Sequence, residues 1–278
     1  MLKQAITYKH WSHTPPLQPF IVKYASTYLQ RQVSWNPHCI KKDALFYQFQ
    51  TGDEETTIEV IPDACLNVLF RLDPTAPNAS FTGTLLSTKS QPLKPGTVYF
   101  GFKPYSNLGI KSTTLSPCEL LDTSVDFSYV LPGVDRLLDG LLKAENFSDR
   151  ISKFMEVAAQ CLIDDSYQPT FVDYMAVMMC SSYGNVTFTN MYKDIGYSER
   201  YCCMMFKDIY GIPPKKYSDI IRFQNTVKML VSGSCDDLSS LAVDGGYYDQ
   251  AHLSRNFKRY VNTPPERYLR RCIEANAN

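Results

Sequence analysis

Between residues 44 and 130 the chain alternates apolar and polar positions in short runs: LFYQFQ, TTIEVIP, CLNVLFRL, SFTGTLL, GTVYFGFKP and NLGIKS. Each run is rich in β-branched and aromatic side chains and is bounded by Asp, Pro, Gly or Asn, the sequence pattern of half-buried strands. Short strands at this spacing predict a β-rich unit of barrel or sandwich type. From Val134 the period lengthens. Leu137, Leu138, Leu141 and Leu142 recur at helical spacing, and Phe154, Val157, Cys161 and Leu162 resume it after a break at Asn146 to Asp149. This predicts a helical hairpin or one long broken helix. After DDSYQP, the stretch FVDYMAVMMCSSYG opens a region that reads as helical to the end. The fold class expected is α+β: a β-rich unit over residues 1–131, a helical connector over 132–168 and an all-α region over 169–278.

The all-α region contains a repeat. FKDIYGIPPKKY from Phe206 aligns without a gap on FKRYVNTPPERY from Phe257, and upstream DIGYSER matches DGGYYDQ with one extra residue in the second copy. Each copy reads as a short helix, over about Thr187 to Ile195 or Asp236 to Asp244, ended by a glycine able to take a left-handed backbone. Ser198 or Asp249 then caps a second helix. Phe206 or Phe257 anchors that helix on its buried face. Gly211 or Asn262 ends it, and Pro-Pro starts the next. Two short helices about a tight turn outline a helix-turn-helix, here over about 187–208 and again over 236–260. The helix within IPPKKYSDIIRFQNTVKMLV bridges them.

These residues resemble the DNA-binding domain of the AraC/XylS family of bacterial transcription regulators, whose hallmark joins a Gly-aromatic turn to a helix with Phe-Lys, then a Pro and a Tyr. IPDACLNVLFRL, FTGTLL and GFKPYSNLGI are similar to the β-rich sensor regions attached to some members. The resemblance implies a sequence-specific regulator whose N-terminal unit answers to a small-molecule effector or a protein partner, and so shifts how two heads meet adjacent major grooves. It implies double-stranded DNA as partner, RNA polymerase as well if the protein activates, no cofactor, and a monomer or homodimer. In this family the connector helices commonly form a dimer interface, which makes Leu137, Leu138, Leu141, Leu142 and Phe154 candidates for that role beside the core.

On the second helix of each motif, outward polar residues reach base edges. Gln250, His252 and Arg255 are the candidates in the second head, with Ala251 at a family position that offers a methyl group. In the first head Arg200 and Cys203 face outward, and Met204 stands where the family usually has arginine. Tyr192, aligned with Ala242, replaces a small residue that lets the two helices approach. Candidates for phosphate contact are Ser198 and Asp249 at helix N-termini, with Lys207, Lys215, Lys216, Lys258 and Arg267 near helix ends.

Composition narrows the alternatives. The formal net charge is zero, which argues against indiscriminate nucleic-acid coating. Lys plus Arg number 15 against 18 acids over residues 1–180, and 13 against 10 beyond, so the mild basic excess falls in the helical third. Nine cysteines form no C-x-x-C pair, so no zinc or disulfide framework is expected, and free thiols fit a cytoplasmic setting. The adjacent Cys202 and Cys203 are poorly placed for a disulfide. His10, His13 and His38 lack metal-ligand spacing. No apolar run reaches membrane-spanning length. The protein is expected to do no chemistry. The rival is a DNA-repair alkyltransferase fused to the same kind of domain, which would require an activated cysteine in a metal cluster or beside a histidine.

Overall fold

The computed structural model describes residues 15–35, 42–105, 115–162, 170–235 and 237–273. The strand expected at NLGIKS and the three histidines His10, His13 and His38 lie outside them.

Among the described residues, a short helix α1 (Pro19–Tyr24) leads into eight strands: β1 (Ala25–Trp35), β2 (Lys42–Thr51), β3 (Thr56–Val60), β4 (Asn67–Leu72), β5 (Asn78–Thr82), β6 (Lys89–Leu93), β7 (Val98–Pro104) and β8 (Ser124–Asp126). Six form an antiparallel sheet in the order β1-β2-β7-β4-β5-β8, and β3 pairs with β6 in a separate ribbon. The order leaves β1 and β8 as edges. Among the described residues the larger sheet is therefore open, closer to a sandwich than to a closed barrel.

Period-two alternation sends the side chains of β2 to opposite faces. Ala44 and Phe46 join Val68, Phe70, Phe100 and Phe102 on one face, whereas Leu45, Tyr47 and Phe49 join Leu69 and Tyr99 on the other. The first face is covered by the helical hairpin α2 (Val134–Lys143) and α3 (Phe147–Leu162). The second is covered by Ile58 and Leu93 of the ribbon and Ile21 of α1. Phe154 fills the first face, its ring 4.5 Å from Phe102, 5.4 Å from Phe46 and 6.0 Å from Phe70. Leu137, Leu138 and Leu141 are buried beside it, and Leu142 is only partly buried. The stripe weighed as a dimer surface thus faces inward, where an amphipathic hairpin covers an aromatic sheet.

Seven helices follow: α4 (Phe171–Ser181), α5 (Phe188–Ile195), α6 (Glu199–Tyr210), α7 (Pro214–Ser232), α8 (Leu238–Asp244), α9 (Gln250–Val261) and α10 (Pro265–Ile273). Their core does not stop at the sheet unit, because Phe20, Ile61 and Ala64 belong to the same buried cluster. Hydrogen bonds follow the apolar contact. Gln224 of α7 accepts from Leu17 N–H (3.0 Å) and donates to the Pro62 carbonyl (2.7 Å). Gln18 donates to the Ile61 carbonyl (2.8 Å) and to Asp63 (2.9 Å). Lys103 pairs with Asp63 in the same buried place. Burial alone would push the Lys103 ammonium down, but the Asp63 carboxylate reverses this and its pKa ends above the ordinary value.

Candidate nucleic-acid interface

Both motifs are built on one aromatic pair. Phe206 meets Tyr217 edge-to-face at 5.3 Å and 73°, and Phe257 meets Tyr268 at 5.3 Å and 74°. All four rings are buried. This explains why Phe and Tyr recur at fixed offset with Pro-Pro between them: the prolines start α7 and α10 so that each tyrosine returns to its phenylalanine.

The caps also repeat. Ser198 accepts from Tyr201 N–H (3.3 Å) at the start of α6, and Asp249 accepts from His252 N–H (2.6 Å) at the start of α9. Gly196 takes φ 79° at the end of α5. In the second copy the left-handed residue is Gly246, at φ 73°, while Gly245 stays right-handed. That is where the extra residue of the second copy is accommodated. The Gly-Tyr match pairs Tyr197 with Tyr247, yet Tyr247 is buried, accepting from Thr226 (3.3 Å) and donating to Asn256 (3.4 Å). Counting back from the caps, Tyr197 corresponds to Tyr248.

On α9, Gln250, Ala251 and Arg255 are exposed. His252 is half-buried, its ring edge-on to Tyr247 at 5.4 Å and its Nδ1 accepting from Tyr248 N–H at 3.4 Å. That geometry assigns the proton to Nε2, the nitrogen left for a partner. On α6, Arg200 and Met204 are exposed, Met204 by 51%. Cys203 is half-buried under Tyr192, whose hydroxyl lies 3.5 Å from its sulfur. The bulk of Tyr192 is thus absorbed inside the first motif. Burial, with Cys203 adding to it, raises the Tyr192 pKa.

The cations divide. Lys207, Lys215, Lys258 and Arg267 are exposed. Lys216 folds over the Tyr260 ring at 4.6 Å, and burial followed by the nearby Arg259 lowers its pKa. It is the cation least available to a phosphate. Asp249 is committed to its cap and bears a charge of the same sign as phosphate, so the backbone N–H groups are what that turn offers an anion.

Cys202 is fully buried, and both it and Cys203 are free thiols. Among the described residues no group of His, Cys, Asp or Glu could hold a metal ion, and burial raises the thiol pKa of Cys65, Cys180, Cys202 and Cys272. An alkyl-accepting cysteine needs the opposite shift. No helix of the described residues is long and apolar enough to cross a membrane.

Sequence reasoning missed Lys228, Gln224 and the Asp63–Lys103 pair. A lysine inside the apolar run VYFGFKP was the legible signal, since a charge in a buried strand requires a partner.

Two paired helices in duplicate, mounted on one bridging helix with polar residues facing out from α9, define a DNA-binding regulator. Residues 191–271 match the family model of a helix-turn-helix domain, of AraC type. That match makes the protein a DNA-binding transcriptional regulator. No curated protein matches the chain. Among solved structures, ToxT from Vibrio cholerae aligns at 12% identity over 88% of this chain and 98% of its own, with a TM-score of 0.42. ToxT bound to (E)-4-(8-methylnaphthalen-1-yl)but-3-enoic acid aligns at 12% identity over 89% and 100%, with a TM-score of 0.43. Likeness at that level carries no functional weight.

Proposed function

We propose that the protein reads an asymmetric operator, with the second head supplying base choice and the first mainly holding position. Gln250, Ala251 and Arg255, with His252 through Nε2, are assigned to base edges in the major groove. Arg200 is the first head's best reader, flanked by Cys203 and Met204. Ser198, Lys207, Lys215, Lys258 and Arg267 are assigned to phosphates. The observation that carries the reading is the exposed face of α9, on which Gln250 and Arg255 stand, against an α6 on which Met204 takes the place equivalent to Arg255. Selection of duplexes from a random pool by the full chain tests it. The expected motif has one well-specified half and a degenerate half about one helical turn away. Two equally informative halves would overturn it.

The proposed division is a sensor unit to about residue 131, a connector to 168 and a DNA-binding region beyond, working in the cytoplasm with RNA polymerase as a further partner if the protein activates. Support for effector control comes from a cleft at the junction, lined by Asp63, Cys65, Tyr105, Cys180, Tyr217 and Lys228. The cleft is small, about 50 Å³. A larger ligand must project from the mouth or spread the two units, which is how occupancy would reach the heads. Burial lowers the Lys228 pKa to about 8, and among the described residues no carboxylate pairs with it. An anionic group would complete it. Affinity for such an effector should be full below pH 8 and fall as the pH rises through the pKa of Lys228, because the free amine deprotonates there. Lys228→Met should abolish that response while leaving effector-free DNA binding unchanged.

A further inference from the structure

The residue before a helix cap, when apolar, ordinarily folds back onto the fourth residue of the helix. In the two heads that residue is Tyr197 or Tyr248, and its fourth-position partner is Cys202 or Leu253, both fully buried. Tyr197 goes part of the way. Its ring is 4.9 Å from Phe171 and 5.2 Å from Tyr201, and it is about half exposed. Tyr248 makes no such return. It is 91% exposed, more than any other large apolar or aromatic side chain among the described residues.

The backbone that carries Tyr248 is nevertheless held from three sides. Its N–H donates to His252 Nδ1, the following Asp249 caps α9, and the left-handed Gly246 two residues earlier lies so close to the Asn185 side chain that a Cβ there would stand 1.9 Å from Asn185 Oδ1. Tyr247, between them, is anchored in the core. A fixed turn therefore presents an aromatic ring to solvent at the mouth of the base-reading helix. A tyrosine has only two side-chain torsions to order, so presenting it this way makes a contact entropically inexpensive.

We propose that Tyr248 is a DNA-positioning residue of the second head: its phenol hydroxyl donates to a phosphate oxygen bordering the groove that α9 enters. This rests on the reading of α9 as the base-reading helix. Residues inside the first turns of such a helix reach base edges, whereas the turn before it meets the backbone, and tyrosine is among the neutral side chains that bond phosphate. The donor carries no charge and displaces no counterion. Its contribution is therefore separable from that of Lys258 or Arg267.

The test uses the full chain, a duplex recovered by selection with the unaltered protein, and an unrelated duplex of equal length. Tyr248→Phe should weaken binding to both duplexes by on the order of ten-fold, the effect of losing one hydrogen bond to a charged group. The slope of log affinity against log salt should stay unchanged, since no ion pair is lost. Tyr248→Ala should behave alike, and both variants should melt with the parent because the side chain is almost wholly exposed. Unchanged affinity in Tyr248→Phe would overturn the proposal, as would a loss confined to the selected duplex, which marks a base contact instead. Arg255→Ala in parallel separates the two levels. If it removes the preference for the selected duplex while Tyr248→Phe is silent, only the proposal falls. If it leaves that preference intact, the reading of α9 fails and the proposal falls with it.

Discussion

The two heads share a skeleton and differ on their faces. Phe206 with Tyr217 and Phe257 with Tyr268 superimpose in distance and angle, yet the outward position that carries Arg255 in one carries Met204 in the other. Inside, Ala242 is replaced by Tyr192, and the ring finds room because Cys203 partners it. Duplication has kept what holds each motif together and freed what each touches. A buried ring pair tolerates little change of volume, whereas an exposed helix face is constrained only by its partner.

The largest effect should come from the shared skeleton. Phe206→Ala and Phe257→Ala should each cost about 3–5 kcal/mol, the usual cost of deleting a buried ring, read as lost thermal or denaturant stability. Similar costs are expected because each ring meets its tyrosine in the same geometry, and a gap between the two beyond about 2 kcal/mol would break the equivalence of the skeletons. Ala242→Tyr imposes the first head's residue on the second. With Ser254 rather than a matched cysteine opposite, overpacking should cost about 1–3 kcal/mol.

Arg255→Ala should remove about 1–3 kcal/mol of discrimination at one base pair, the size of a bidentate contact. Met204→Arg should sharpen the weak half of the selected site alone, and a variant that altered the strong half would reverse the assignment of heads. The smallest effect concerns the helix exits. Asn262 holds a left-handed backbone at φ 54°, so Asn262→Gly should raise stability by about 0.5 kcal/mol. Its mirror image, Gly211→Asn, should destabilise, because a Cβ at Gly211 would stand 2.6 Å from the Pro117 carbonyl oxygen.

Local periodicity made part of this legible in the sequence. The repeat, the caps and the Pro-Pro helix starts follow short-range rules, and so does the leucine stripe, although its packing against Phe46 and Phe102 required the sheet. β1 was not legible. As an edge strand it exposes most of both faces, so ASTYLQRQVSW shows no apolar alternation. β6 carries Pro92, which argues against a strand except at an edge or in a ribbon such as this one. Gln224 and Lys228 on α7 gave no signal because what they meet, Pro62 and Cys65, lies far away in the chain. The pairing of Tyr197 with Tyr248 was obscured by a stronger letter match to Tyr247, and only the caps reveal it.

The core shared between the sheet unit and α4–α10 bears on how the chain can be divided at the bench. A product containing only the helices would lose Phe20 from the face of Tyr268, 5.5 Å away, and would lose both bonds from Thr88, N–H and hydroxyl, to the Tyr260 carbonyl. It would also leave the Gln224 amide without Pro62 and newly open to water. Such a product keeps both reading heads but gains an adhesive flank, and its self-association would be mistaken for cooperative binding in a gel. The remedy is to polarise that flank when cutting, for instance with Tyr268 retained for Phe257 and a charged residue placed at Ile221, which lines the junction cleft.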